Sequence, residues 1–112
     1  MRETFHLVPR EVWEAADPDA PYEPPSLAWE GFIHCTDGVG PLGVTFDRYY
    51  AADPRPFLAL TIDLDALDVP WRYDAQGSPY PHIYGTVARG AILSVEAIAR
   101  DEEGRFYSLA SF

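Results

Sequence analysis

The segment Phe57-Leu-Ala-Leu-Thr-Ile-Asp63 carries no charged residue before its last position. A strand that is buried on both faces reads as a continuous apolar run, whereas a half-buried strand alternates polar and apolar residues. Pro54 and Pro56 stand just before the run and end any preceding helix. The segment therefore predicts a central β-strand around which the rest of the chain must pack.

Shorter segments on both sides of this strand predict a small α+β domain. Further strands are predicted over residues 4–8, 32–36, 69–73, 80–85, 91–99 and 105–109. Short helices are predicted over residues 10–16, after Pro9, and from Pro41 to Tyr50. Single turns are expected from Ser26 to Glu30 and over residues 64–67. The sum is a mostly antiparallel split sheet of six or seven strands with two short helices.

Length and composition limit the class of protein. A chain of 112 residues predicts one domain, residues 1–112, and a single cysteine excludes an intrachain disulfide. No stretch approaches the roughly 20 apolar residues that a membrane span needs. The N-terminus has no long apolar segment of the secretory type. We therefore expect a cytoplasmic protein with no membrane partner.

The charge of the chain limits its partners. The formal net charge is −10, and all 8 basic residues are arginines. Without lysine, neither Schiff-base chemistry nor a phosphate-loop lysine is available. Long-range repulsion also disfavours nucleic acid as a partner. A small anionic ligand remains open, because a few arginines suffice to form a local pocket.

All three histidines stand in short segments that are typical of strands. His6 lies in Phe-His-Leu-Val, His34 in Gly-Phe-Ile-His-Cys-Thr and His82 in Pro-His-Ile-Tyr-Gly. Because side chains alternate along a strand, Phe32 should share a face with His34, and His82 with Tyr84. Three imidazoles and a phenol on one concave face would form a site, since histidine serves as acid, base, donor or ligand near neutral pH.

Neighbouring residues offer weaker candidates. Cys35 follows His34 directly, so the two side chains should face opposite ways, and a core position for the cysteine is favoured. No nucleophile-elbow pattern surrounds Ser26, so helix capping is its expected role. Glu30 is either a carboxylate at a cleft mouth or a solvated helix end. Trp29 is the tryptophan that we expect as a cleft wall.

A metal centre is an alternative use of the histidines, because three imidazoles can form an open zinc site. Here they fall on separate predicted strands, without close paired spacing and without an obvious carboxylate ligand. A site that uses two or more histidines without a metal is therefore favoured.

Four segments in order resemble the bacterial domain-of-unknown-function family numbered 952. They are Val-Pro-Arg-Glu-Val-Trp from Val8, Pro-Pro-Ser-Leu from Pro24, Gly-Phe-Ile-His-Cys-Thr from Gly31 and Pro-His-Ile-Tyr-Gly from Pro81. The resemblance covers residues 3–98. It implies an ADP-ribosyltransferase-like fold, which is also found in RNA 2′-phosphotransferases and toxins.

The resemblance also implies roles for the histidines. His6 matches the first-strand histidine that contacts a ribose of NAD in that larger group. His34 would lie where related enzymes hold their ligand, and His82 near the catalytic, nicotinamide-facing strand. Two departures stand out: the glutamate that many such transferases use has no clear counterpart, and Trp71-Arg72 replaces a frequent Trp-Glu. The acidic balance makes an RNA substrate a poor match.

These observations lead to three hypotheses. The first is a small enzyme that binds NAD, ADP-ribose or a related nucleotide. In it His82 is the acid–base, Tyr84 orients it, and the ligand contacts are made by His6, His34, Ser26 and Trp29. The second is a non-catalytic binding module that kept the cleft and lost transferase chemistry. The third is a three-histidine metal site. Whether the protein is a monomer or a dimer stays open.

Overall fold

The computed structural model, which describes residues 1–112, places the predicted central strand inside a four-stranded antiparallel sheet. Its order is β1 (Glu3–Pro9), β3 (Phe57–Asp63), β6 (Ile92–Arg100) and β7 (Phe106–Ala110). Every residue of β3 except Asp63 is buried. The prediction of a strand covered on both faces is confirmed.

The remaining three strands form a second antiparallel sheet in the order β2 (Ile33–His34), β5 (Pro81–Ile83) and β4 (Trp71–Tyr73). The expected α+β class, the antiparallel pairing and a total of seven strands are confirmed. The expected single split sheet is wrong, because the strands divide into separate sheets of four and three. Backbone pairing between the sheets is confined to a bridge of Phe5 with Thr36. Proline, which lacks an amide donor, keeps the small strands short.

Three helices are present where two were expected. They are α1 (Arg10–Ala15), α2 (Leu27–Glu30) and α3 (Val39–Tyr50), and single 3-10 turns lie at Leu64–Ala66 and Arg89–Ala91. The turn predicted after Ser26 is the short helix α2. Helix α3 begins before Pro41. Proline is tolerated in the first helical turn because the backbone amides there have no intrahelical acceptor, so its missing N–H costs no hydrogen bond. None of the helices has the length and apolar character that a bilayer span requires.

Alternate side chains of β3 enter two separate hydrophobic clusters. Phe57 and Ala59 pack beneath α3 with Leu42, Phe46 and Ile98. Leu58, Leu60 and Ile62 pack on the opposite side, where Ile33 and Ile83 of the small sheet meet them. The small sheet therefore turns one apolar face to the core, and its other face is left for polar groups.

Gly85, directly after β5, is required by both backbone conformation and space. Its φ of 155° is rarely adopted by residues with a side chain. A Cβ at this position would also lie 2.7 Å from Cγ1 of Val69. The glycine thus allows the chain to leave β5 against the loop before β4.

We expect Gly85→Ala to lower the free energy of unfolding by about 1–3 kcal/mol, because the new methyl group forces backbone strain. Urea denaturation measures the change. Gly90→Ala is the matched control, since no atom lies within 4 Å of its Cβ position and its φ is ordinary. That control should stay within about 0.5 kcal/mol of the parent. Equal stability of the two variants would contradict the strain at Gly85.

Candidate functional site

Strand register brings two of the three histidines together on the outer face of the small sheet. His34 pairs with His82 across β2 and β5, and His82 pairs with Arg72 across β5 and β4. Because side chains alternate, these three point away from the core that Ile33 and Ile83 enter. The ring centroids of His34 and His82 are 5.3 Å apart in an edge-to-face arrangement.

Phe32 packs against both imidazoles. Its ring stacks on that of His82 with a centroid distance of 4.1 Å and an interplanar angle of 23°. It meets the ring of His34 edge-on at 4.8 Å. The alternation rule had placed Phe32 on the face of His34, and the structure agrees. Aromatic packing of this kind restricts the ring orientations before any ligand arrives.

Asp74, in the turn after β4, is the carboxylate partner of His82. Its Oδ2 lies 2.6 Å from Nδ1 of His82 and also accepts a hydrogen bond from the Tyr84 hydroxyl. Its Oδ1 accepts a hydrogen bond from Nε of Arg72 at 2.7 Å. The hydrogen bonds from Tyr84, Arg72 and His82 hold the pKa of Asp74 well below its usual range. An ionised carboxylate only accepts, so Nδ1 of His82 carries a proton and Nε2 is the ring nitrogen left for other contacts.

His34 has a carboxylate partner of its own. Oε2 of Glu30, the last residue of α2, lies 2.5 Å from Nε2 of His34. The side chain of His34 is 63% exposed, so a ligand has access to it. The two neighbouring imidazoles therefore contact carboxylates through different nitrogens, Nε2 in His34 and Nδ1 in His82.

His6 has a different environment, because it is only 7% exposed. Its Nδ1 lies 2.8 Å from the carbonyl oxygen of His34, and its Nε2 lies 3.0 Å from the Tyr22 hydroxyl. A carbonyl only accepts, so Nδ1 donates and Nε2 accepts from Tyr22. Burial lowers the pKa of His6 to about 4, so the ring is neutral at pH 7 and both nitrogens are engaged.

Two adjoining hollows run along this part of the surface and form one groove. The first hollow has a volume of about 390 Å³ and the second about 330 Å³. Five residues line both: Glu30, His34, Thr36, Thr45 and Tyr50. The first hollow also contains His82 and Arg48, and the second contains His6, Ser26 and Trp29. Of the predicted site residues, Tyr84 alone lines neither hollow, and its hydroxyl donates to Asp74, the partner of His82.

The structure also tests the expectations for Ser26, for Cys35 and for a metal centre. Ser26 precedes α2, but the expected side-chain cap is wrong: its φ of −64° and ψ of −21° are helical, whereas a capping residue is extended. Cys35 is buried as expected, and burial raises the pKa of its thiol. No group of three or more histidine, cysteine, aspartate or glutamate side chains is placed to hold a metal ion. His6 lies on β1 of the other sheet, and both of its ring nitrogens are engaged, so the three histidines do not converge.

Asp74 and Tyr22 are the important residues that sequence reasoning missed. Asp74 follows Arg72 by two positions, so the alternation of β4 places it on the face of His82. That inference needed the register of β4 against β5. Tyr22 lies in a proline-rich loop without periodicity and is completely buried.

Comparison with known proteins supports the fold and identifies the family. The fold is similar to that of the protein CC0527 from Caulobacter crescentus, solved by X-ray crystallography and by solution NMR. The TM-score is 0.71 in both cases, the identity is 18% and 19%, and the alignments cover 94% of this chain and 93% and 91% of those chains. No curated protein matches the sequence. Residues 7–95 match the family described as "Protein of unknown function (DUF952)", and the chain belongs to that family.

The buried, neutral state of His6 predicts a loss of stability in mild acid. The unfolded chain takes up this proton near pH 6.5 and the folded chain near about pH 4, so the unfolded state binds more protons between these values. The contribution of His6 is complete above about pH 6.5 and falls by up to about 3 kcal/mol as the pH drops to about 4. Urea unfolding across this range measures the loss.

Two variants separate His6 from the other titrating groups. His6→Gln should lack this part of the pH dependence, and His34→Gln, at an exposed position, should retain it. Parallel curves for the parent and His6→Gln would show that His6 is not held neutral in the folded state.

Proposed function

We propose that the groove binds a small nucleotide-type ligand of the NAD or ADP-ribose class and that the protein is an acid–base enzyme acting on it. The observation that carries this proposal is the pair His34 and His82, which lie 5.3 Å apart on the groove wall, each bonded to its own carboxylate. Ligand pockets are typically about 300–1,000 Å³ in volume. The first hollow, at about 390 Å³, is therefore large enough for part of such a ligand.

Proton transfer is assigned first to His82. Asp74 orients its ring and leaves Nε2 as the nitrogen that can accept a proton from a bound group or, once protonated, return it. His34 is close enough to hold a ribose or phosphate oxygen of the same ligand, or to act as the second proton carrier. Tyr84 is a positioning residue in this scheme, because it contacts Asp74 and not the groove.

The first hollow contains a guanidinium without a carboxylate partner, and the Glu30 carboxylate that lines the same hollow is bonded to His34. Arg48 lines this hollow and has no ion-pair partner, whereas Arg55 in the second hollow is bonded to Asp53 and Glu11. An unpaired guanidinium beside two imidazoles is a suitable environment for phosphate oxygens.

We infer further that the fold is ADP-ribosyltransferase-like. We also infer that Glu30 takes the place of the glutamate that many such transferases use and that has no clear counterpart in the sequence. Glu30 lines both hollows and contacts His34, so it can reach a sugar hydroxyl in the groove. His6 would then act on the ligand through the backbone of His34, since its own nitrogens are engaged. A cytoplasmic location stays a prediction.

The proposal predicts that NAD or ADP-ribose shifts the ring signals of His34 and His82 together in a two-dimensional NMR titration. It also predicts NAD turnover that falls at least about a hundredfold in His82→Gln, because a positioned acid–base group contributes about 10²–10⁴ in rate. Asp74→Asn should lower turnover as well and alter its pH profile, since the ring of His82 loses its fixed proton. Asp65→Asn is the control, an exposed carboxylate that lines neither hollow.

The outcomes separate the alternatives. Coupled histidine shifts without turnover would identify a non-catalytic binding module. No shift with either nucleotide would overturn the assigned ligand class.

A further inference from the structure

The second hollow differs in character from the first. Its wall beyond the shared residues contains three proline rings, from Pro9, Pro24 and Pro25, together with Val12. Trp29 stands at its edge with 73% of its surface exposed. A large indole that remains open to solvent beside an apolar hollow offers a flat face to a ligand.

The two hollows also differ in whether their arginine has a carboxylate partner. In the second hollow, Nη1 of Arg55 is 2.9 Å from Glu11 and Nη2 is 2.8 Å from Asp53. The hydrogen bonds from Arg55 lower the pKa of Asp53 to about 2, so that carboxylate remains the partner of the guanidinium at neutral pH. Arg48 in the first hollow has no such partner. Arg48 is thus available to an anionic group in the first hollow, whereas the second hollow offers no free guanidinium.

The hollows are continuous, since Glu30, His34 and Tyr50 belong to the walls of both. We propose that the second hollow is a subsite for the flat heteroaromatic base of the ligand and that Trp29 stacks on that base. The sugar and phosphate of the same molecule occupy the first hollow. The ligand is therefore a nucleotide whose base contributes to binding, and this inference rests on the proposed function.

The test compares ligands that differ only in the base. Ribose 5-phosphate is titrated against AMP and against nicotinamide mononucleotide, which carry the same sugar phosphate with a base attached. The ring signal of His82 reports on the first hollow and the indole signal of Trp29 on the second, whereas His34, which lines both, reports on either. The parent protein should bind at least one nucleotide about five- to a hundredfold more tightly than ribose 5-phosphate, the range that stacking of one base provides.

Trp29→Ala should remove most of this preference and leave the affinity for ribose 5-phosphate unchanged. Trp29→Phe should restore part of it, because phenylalanine retains an aromatic face. Tyr107→Ala is the matched control: Tyr107 is 75% exposed and lines neither hollow, so its removal should leave the preference intact. An unchanged histidine spectrum in the free variants verifies that they fold.

Two results would overturn the inference, and they differ from failure of the proposed function. If ribose 5-phosphate shifts both histidines and a base adds no affinity, the base subsite is wrong while the first hollow stands. If Trp29→Ala keeps the full preference, the base binds elsewhere. If no compound shifts either histidine, the proposed function fails, and the subsite inference fails with it.

Discussion

The buried His6 ring makes a side-chain hydrogen bond between the two sheets, beside the packing of Ile33 and Ile83 on the core. Nδ1 joins strand β1 of the large sheet to the carbonyl oxygen of His34 in the small sheet, and Nε2 accepts from Tyr22. The backbone of Tyr22 is in turn paired with Val87. Direct strand pairing between the sheets is limited to Phe5 and Thr36, so the neutral ring adds a second polar link between them. A buried histidine thus fixes the backbone of the exposed histidine that faces the groove.

The small sheet can support a polar cluster because only one of its two faces packs against the core. Ile33 and Ile83 are completely or almost completely buried and attach the sheet to the core. Strands of two or three residues would be unstable alone, and this attachment is what stabilises them. The outer face then carries polar side chains around the single ring of Phe32. Its side chains are free to form the arrangement of His34, His82 and Asp74 described above.

The sequence predicted side-chain faces correctly and left the pairing of distant strands open. Continuous apolar character identified Phe57–Asp63 as the central strand, and period-two alternation placed Phe32 with His34 and His82 with Tyr84. Alternation acts within one strand, whereas pairing depends on contacts between residues far apart in the chain. The separation into two sheets and the position of Asp74 depended on that pairing. The engagement of His6 by Tyr22 depended on a proline-rich loop, where no periodic pattern exists.

Arg72 stabilises the carboxylate of Asp74 within the cluster on the outer face. A glutamate at this position, two residues before Asp74 on the same face, would place two carboxylates side by side and disfavour the ionisation of both. Arg72 instead donates to Asp74, and its guanidinium lies 4.1 Å from the centre of the Tyr84 ring. The arginine therefore helps to keep Asp74 ionised as the partner of His82. The carboxylate of the cluster is thus Asp74, and its charge is stabilised by Tyr84, Arg72 and His82 together.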